Sequence, residues 1–168
     1  MAEIQRYKVV ESQKGFEVRD YEAHTLVTKQ MQGSMGTASY SAFGYLAGYI
    51  GGENEAGQQI AMTAPVLQKK SSNGFDVSFV MPHDMVNAPK PTRSGMSIER
   101  ISGGLMAAKR FSGAATDRLF ESKAQALLKE LEAAGYSAVG EIQYARYNGP
   151  WTPPVLRRNE VLVAIKRN

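Results

Sequence analysis

Few side chains in this sequence could form a reactive centre. Histidine occurs twice, at His24 and His83, and cysteine does not occur. A catalytic triad or a multi-histidine metal site therefore lacks the residues to form. The absence of thiols also excludes disulfides and thiolate ligands. We predict a protein that is not an enzyme, with no catalytic residues and no metal ligands.

Two other side chains have useful chemistry but a simpler explanation. Glu160 follows Arg157-Arg158-Asn159 in the last predicted strand, where a buried ion pair or an edge hydrogen bond is expected rather than catalysis. Met62 could act as a soft metal ligand, but thioethers more often fill apolar gaps.

The 168 residues suffice for one hydrophobic core. No apolar run approaches the roughly 20 residues of a membrane helix, and the N-terminus is too polar for a signal peptide. A cytoplasmic protein without membrane insertion is expected. The net charge is +4, but Lys and Arg are scattered, so we predict no nucleic-acid binding. The net positive charge would also favour binding of an acidic small molecule.

Alternation and helical spacing predict the secondary structure. Strands are expected at 4–10, 15–21, 25–32, 74–81, 141–147 and 160–166. Helices are expected from Ser34 to Ile50 and from Thr116 or Asp117 to Ala134. The apolar stripe of the first helix comprises Tyr40, Phe43, Leu46, Ala47 and Ile50.

The first predicted helix breaks two local rules. It contains no Lys, Arg, Asp or Glu, and it includes Gly36, Gly44 and Gly48. Each glycine costs up to about 1 kcal/mol relative to alanine. Gly44 and Gly48 share one face. That face is either packed closely on a sheet or left as a shallow trough for a flat ligand.

Two stretches share the pattern bulky, polar, small, proline, bulky: Met62-Thr63-Ala64-Pro65-Val66 and Tyr147-Asn148-Gly149-Pro150-Trp151. We interpret them as corresponding positions in a duplicated domain. Pro65 removes a backbone donor, so a sheet ladder should pause there. Trp151 lies in a proline-stiffened loop, either as a binding element or as a plug at the end of the fold.

A wider repeat supports the duplication. At one offset (98 − 18 = 80), Val18 corresponds to Ile98, Lys29 to Lys109 and Gly33 to Gly113. We predict a single domain over residues 1–168, built from pseudo-repeats at about 15–81 and 96–167.

Four stretches resemble the SOUL family of haem-binding proteins. They are Phe16-Glu17-Val18-Arg19-Asp20-Tyr21, Tyr49-Ile50-Gly51-Gly52, Ile60-Ala61-Met62-Thr63-Ala64-Pro65-Val66, and Tyr147-Asn148-Gly149-Pro150 running into Arg158-Asn159-Glu160-Val161. The resemblance covers the chain after about Tyr7. It implies an α+β fold, namely a distorted β-barrel of two pseudo-symmetric halves with two outer helices, as in gyrase-inhibitor-like effector-binding domains.

The resemblance also implies a shallow apolar groove for haem or another porphyrin. Some members of that family have a histidine, proposed as an iron ligand, where this sequence has Asp20. Members also commonly carry Lys or Arg in the first helix, suited to haem propionates. Since this helix has none, the propionates would have to find other partners: Arg157, Arg158, Arg146 or Lys109.

We therefore predict weak or reversible, non-enzymatic binding of haem or a related tetrapyrrole without a strong axial protein ligand. The ligand is expected between the first helix and the proline-rich loop. The predicted contacts are Tyr40, Gly44, Ala47, Gly48, Met62, Trp151, Pro153, Val155 and Leu156. No protein partner follows from the sequence.

Two alternatives remain open: a small-molecule effector sensor or stress-related interaction protein on a gyrase-inhibitor-like fold, and a hydrolase that uses Glu160. An apolar trough favours the tetrapyrrole. A buried glutamate without a partner would favour a cationic ligand or hydrolysis.

Overall fold

The computed structural model describes residues 2–168, which form two compact units. Unit 1 comprises residues 2–5 and 23–102, and unit 2 comprises residues 6–22 and 103–168. The elements of unit 1 are β1 (Glu3–Ile4), β4 (His24–Gln32), α1 (Met35–Ile50), β5 (Thr63–Ala64), β6 (Val66–Ser71), β7 (Gly74–Val80) and β8 (Met96–Ile101). The elements of unit 2 are β2 (Tyr7–Gln13), β3 (Phe16–Tyr21), β9 (Gly104–Phe111), α2 (Asp117–Ala133), β10 (Tyr136–Ala138), β11 (Gln143–Arg146), a 3₁₀ turn (Pro154–Leu156) and β12 (Asn159–Arg167).

Unit 1 is an antiparallel sheet in the order β6-β7-β4-β8, with α1 following β4. A short parallel pair, β1 with β5, lies beside it in the same unit. Pro65 falls between β5 and β6, so the strand pauses at the residue without a backbone donor, as predicted.

Unit 2 repeats this plan with β11-β12-β9-β3 and adds β2 beside β3. Here α2 follows β9, and β10 pairs with the end of β12. The prediction of an α+β fold with two pseudo-symmetric halves and two helices is confirmed. The distorted β-barrel and the single domain stay predictions.

One offset relates the strand registers of the two units. Val18 of β3 pairs with Ala107 of β9. Adding 80 to the first and subtracting 80 from the second gives Ile98 and Val27 (18 + 80 = 98; 107 − 80 = 27), which pair between β8 and β4. The connectivity is exchanged, because β3 precedes β4 in the chain yet belongs to unit 2, and β8 precedes β9 yet belongs to unit 1.

The two proline-containing stretches do not occupy corresponding positions. Pro65 lies after α1 and before β6, whereas Pro150 lies after β11 and before β12. Since β6 and β11 are the equivalent strands of the two units, one proline precedes that strand and the other follows it. The interpretation of the two stretches as counterparts is wrong, because a shared pattern of five residue types is too short to fix a position.

Helix α1 begins after Ser34, whose hydroxyl accepts from the Thr37 N–H at 3.2 Å, and ends at Gly51. Its bounds agree with the prediction, but its core-facing side does not. The predicted apolar stripe is wrong at Tyr40 and Phe43, which are exposed. The buried residues of α1 are Met35, Ala38, Ala42, Leu46 and Tyr49.

Helix α2 is a conventional amphipathic helix capped by Thr116, and its buried residues are Phe120, Ala124, Leu127 and Leu131. All four belong to the apolar stripe that helical spacing predicts for this helix, which comprises Leu119, Phe120, Ala124, Leu127, Leu128 and Leu131. Among the strands, the predicted segment 4–10 is split into β1 and β2, and β10 was not anticipated. The break falls at Gln5, whose N–H donates to the Ala64 carbonyl.

Gly44→Ala should raise the free energy of unfolding by about 0.5–1 kcal/mol, because the exposed helix position gains helix propensity. A Cβ at Gly44 would meet nothing within 4 Å. The matched control is Ala42→Gly on the buried face of α1, which should lower the free energy by about 1 kcal/mol or more. Urea unfolding measures both. A loss of stability in Gly44→Ala would mean that the open face is wrongly described.

Candidate functional site

The outward face of α1 presents uncharged surface to water. Tyr40 is 88% exposed, and Gly44, one turn later, has open space above it. Ala47 and Gly48 are half-buried. On the flank of this face, the Phe43 ring packs edge-on against Phe79, with ring centroids 5.9 Å apart. A flat apolar ligand could lie on this surface without displacing a charged helix side chain.

The predicted trough is open at Gly44 but filled at Gly48. A Cβ at Gly48 would come within 2.4 Å of a carboxylate oxygen of Glu53. The loop that carries Glu53 is tied to the helix end, since the Glu53 N–H donates to the Gly48 carbonyl at 3.0 Å. An exposed carboxylate at the end of a flexible side chain can move aside, so the face can lengthen to include Gly48.

Met62, the fifth predicted contact in unit 1, is 37% exposed and directly precedes β5. The next residue, Thr63, is buried, and its hydroxyl donates to the Val80 carbonyl. Met62 is therefore positioned by anchored backbone while its side chain remains accessible.

The other predicted contacts lie in unit 2, on the loop between β11 and β12. Trp151, Val155 and Leu156 are 85%, 79% and 70% exposed, and Pro153 is also exposed. Exposure of Trp151 removes the alternative that it plugs the end of the fold. A contiguous exposed apolar surface of this kind usually marks a binding surface.

This loop is held in place by its own polar groups. The Arg157 guanidinium donates to the carbonyls of Thr152 at 2.8 Å and Pro150 at 2.9 Å. The Trp151 ring lies over Gly149, where a Cβ would come within 2.2 Å of it. Because the loop is tied internally, its apolar residues are presented to water without the entropy cost of ordering a mobile segment on binding.

The basic residues predicted to meet propionates are already occupied within unit 2. Lys109 pairs with Glu130 at 2.9 Å, and Arg146 donates to the Ala115 carbonyl at 3.3 Å. Arg157 holds the Trp151 loop, and Arg158 pairs with Glu160 at 2.9 Å. Each of the four therefore already makes a hydrogen bond or an ion pair inside unit 2.

Glu160 lies at the centre of a buried polar cluster in unit 2. Arg19 reaches it from β3 with two parallel hydrogen bonds, 2.7 Å to Oε1 and 2.8 Å to Oε2. The side chains of Arg19 and Glu160 are 1% and 0% exposed. Arg110 and the Tyr147 hydroxyl also donate to this carboxylate, at 3.3 and 3.0 Å. The prediction of a buried ion pair is confirmed.

The environment of Glu160 keeps it ionised. Burial alone would raise its pKa, but the hydrogen bonds and positive charges of Arg19 and Arg158 outweigh burial and hold the pKa below its ordinary value. Burial raises the pKa of Tyr21 to about 12 and also raises that of Tyr147. A general base needs a pKa near the working pH, so this carboxylate is poorly suited to proton transfer.

The partners of Glu160 were missed in the sequence, although one signal was present. Arg19 and Tyr21 are two residues apart on a strand and so share one face. The Tyr21 hydroxyl accepts from Arg19 at 2.8 Å, and the Arg19 guanidinium lies 4.1 Å from the centre of the Tyr7 ring. A strand that places an arginine beside a buried tyrosine indicates a buried anion elsewhere in the sheet.

Neither histidine lies in a metal site. The sequence before the predicted strand at 25–32 suggests a turn at His24, but His24 is the first residue of β4 and pairs with Ile101. His83 is exposed in a loop, and its backbone N–H donates to the Glu3 carboxylate at 2.8 Å. Within residues 2–168, no group of three or more His, Cys, Asp or Glu side chains is arranged to hold a metal ion.

Neither α1 nor α2 has the length and apolar character of a membrane-spanning helix, and residues 2–168 contain no other candidate.

Comparisons with known proteins point to one family. The family model described as SOUL heme-binding protein matches residues 2–164. Heme-binding protein 1 of Mus musculus is 30% identical over 125 residues, which is 67% of this chain and 64% of the mouse protein. The chain thus aligns with less than two thirds of that relative.

Solved structures share the fold at low sequence identity. The C-terminal domain of EcmrR superposes with a TM-score of 0.70 at 11% identity, covering 96% of this chain and 99% of that domain. A hydrolase from Listeria innocua gives a TM-score of 0.62 at 10% identity, covering 94% of each chain. At such identities the likeness shows the fold alone.

Glu160→Gln should lower the free energy of unfolding by about 3–5 kcal/mol, because it leaves Arg19 buried without its counter-charge. Glu17→Gln is the matched control, since Glu17 also pairs with Arg19 at 2.9 Å but its side chain is 39% exposed. That change should cost about 0–1 kcal/mol. Urea unfolding at neutral pH measures both, and equal losses would contradict a special role for the buried pair.

The same pair predicts a pH dependence. The folded pKa of Glu160 lies below its unfolded value, so its stabilisation is complete above the unfolded pKa of about 4.3 and is lost as the pH falls through the folded pKa. Between neutral pH and about pH 2, the wild type should therefore lose more stability than Glu160→Gln. The free energy of unfolding is measured against pH for both proteins. An equal loss in the two proteins would refute this assignment.

Proposed function

The chain belongs to the SOUL family of haem-binding proteins, and we propose that it binds haem or a related tetrapyrrole reversibly without catalysing a reaction. The observation that carries this proposal is the outward face of α1, which is uncharged, exposed at Tyr40 and open at Gly44. Contact of one macrocycle face with such a surface contributes roughly 25 cal/mol per Å2 of apolar area, part of which offsets the cost of association.

The state of Glu160 argues against the two alternative functions. A cationic ligand or a hydrolytic reaction would use a buried carboxylate that has no partner. Glu160 instead accepts hydrogen bonds from the two terminal guanidinium nitrogens of Arg19 and two further hydrogen bonds from Arg158. Releasing it would leave Arg19 without its buried counter-charge.

Iron coordination contributes little in this proposal. Asp20 is exposed on β3 in the position where some relatives have a histidine, and His24 is engaged at the start of a paired strand. The protein's residues would hold the macrocycle by its face and edges. Haem, when bound, would supply its own iron chemistry.

The exposed loop of unit 2 is a second apolar surface suited to the same ligand class. Trp151 offers an indole of low conformational entropy, and Pro153, Val155 and Leu156 extend the apolar area around it. Because Trp151 is the only tryptophan, quenching of its fluorescence reports ligand binding from a single, known position in the protein.

Hemin and metal-free protoporphyrin IX should bind the purified protein with similar Kd values, because face contacts rather than an iron bond supply the affinity. Absorbance and Trp151 fluorescence titrations measure both. His24→Ala and His83→Ala should leave the Soret band of the hemin complex unchanged. Hemin binding more than tenfold tighter, or a Soret shift in either variant, would sink the proposal of weak axial ligation.

Gly44→Leu should weaken protoporphyrin binding at least tenfold, or about 1.4 kcal/mol, because a branched side chain would stand in the open trough. Gln125→Leu is the control, since it places the same apolar side chain at an exposed position of α2. Circular dichroism checks that both variants fold. If folded Gly44→Leu binds as tightly as the control, the ligand does not contact this face of α1.

A further inference from the structure

The repeat places two lysines in equivalent positions with different surroundings. Lys29 of β4 and Lys109 of β9 differ by the same offset of 80 (109 − 29 = 80) that relates the registers of the two units. Lys109 pairs with Glu130 of α2, 2.9 Å from its Nζ. Lys29 lies beside α1, which carries no acidic residue that could serve the same purpose.

Lys29 is instead held over an aromatic ring together with a second cation. Its Nζ lies 4.6 Å from the centre of the Tyr45 ring, and the Arg93 guanidinium carbon lies 3.8 Å from the same centre. Within residues 2–168 neither side chain makes a salt bridge. Two like charges on one ring repel each other, so an anion that bridged them would be favoured.

The surrounding backbone leaves room for this arrangement. A Cβ at Gly95 would come within 2.6 Å of the Lys29 Nζ, so the ammonium occupies the space that any other residue would fill. The ring belongs to α1, where Tyr45 and Gly48 are three residues apart and thus neighbours on the helix surface. The cations therefore flank the same uncharged face that includes Gly44.

One carboxylate is already nearby. The side chain of Glu53 lies over Gly48, yet it forms no salt bridge with Lys29 or Arg93 in residues 2–168. The Glu53 side chain is exposed. The N–H donors of Lys29 and Arg93 are therefore available to a ligand.

We propose that Lys29 and Arg93, supported on Tyr45, bind a carboxylate of the ligand. This inference rests on the proposed function and assigns to these two residues the propionates of a tetrapyrrole seated on α1. A guanidinium offers two parallel donors to a carboxylate, and the ammonium adds a point charge. Since α1 carries no charge, the cations that pair with the ligand carboxylate come from β4, which carries Lys29, and from the loop before β8, which carries Arg93.

The test compares protoporphyrin IX with its dimethyl ester, which keeps the macrocycle and lacks both charges. Kd values are measured for the wild type and for the double variant Lys29→Gln/Arg93→Gln. The diacid should bind the double variant at least tenfold more weakly, and the ester should bind both proteins equally. Lys69→Gln/Lys70→Gln is the matched control, because it removes the same charge from exposed positions of β6.

A readout without ligand separates binding from structure. Lys29→Gln/Arg93→Gln should change the Tm of the free protein little, because the lost contacts with the Tyr45 ring are offset by relief of the repulsion between the two cations. Lys109→Gln should lower it, because Glu130 loses its ion pair. A fall in the Tm of the double variant comparable to that of Lys109→Gln would overturn the proposal by showing a structural role.

The outcomes distinguish this inference from the function on which it rests. If the diacid binds the wild type and the double variant equally, the carboxylate assignment fails while tetrapyrrole binding stands. If neither porphyrin binds the wild type, the proposed function fails and the assignment with it. Millimolar acetate should weaken diacid binding to the wild type more than to the double variant. If it weakens diacid binding to both proteins equally, the two residues do not form a carboxylate site.

Discussion

The pairing of Arg19 with Glu160 is the constraint on which unit 2 depends. Both groups are buried, and each would be costly without the other. Their strands, β3 and β12, flank β9 on either side, so the bidentate contact spans the central strand and holds three strands in one register. A slip of one residue in β3 would turn Arg19 to the opposite face and leave Glu160 without its main partner.

The two units use the same strand order for different purposes. Unit 2 satisfies its charges internally, with Glu160 between arginines and Lys109 on Glu130. Unit 1 carries a helix without charge, and its basic residues Lys29 and Arg93 stack on Tyr45 instead. A duplicated fold can in this way bury a network of ion pairs in one copy and leave cations without a carboxylate partner in the other.

The sequence predicted the elements better than their faces. Ser34 and Gly51 bound α1 as expected, because capping and termination are local effects. Its buried side was misassigned, since small residues such as Ala38 and Ala42 pack on the sheet while Tyr40 stays in water. Periodicity identifies the buried face of a helix only when the opposite face is polar, and α1 has apolar or small residues on most sides.

Contacts between residues far apart in the sequence were also not predicted. That Glu160 would be paired followed from its position, but its partner Arg19 lies 141 residues away. Glu53 over Gly48 depends on how a loop returns to its helix. Spacing along the chain carries information about neighbours on one element and little about which elements meet. The proposed contacts on α1 and on the Trp151 loop stay predictions.

The exchange of β3 and β8 between the halves has a consequence during synthesis. When β3 leaves the ribosome it can pair with β2, but its other partner, β9, lies 83 residues further on (104 − 21 = 83). At about 5–20 residues per second, that edge waits roughly 4 to 17 s. Throughout this time Arg19 has no Glu160, and the open edge of the β2-β3 hairpin is available to other chains. Charged side chains along that hairpin, such as Lys8, Glu17 and Asp20, disfavour such pairing until translation reaches the second half of the chain.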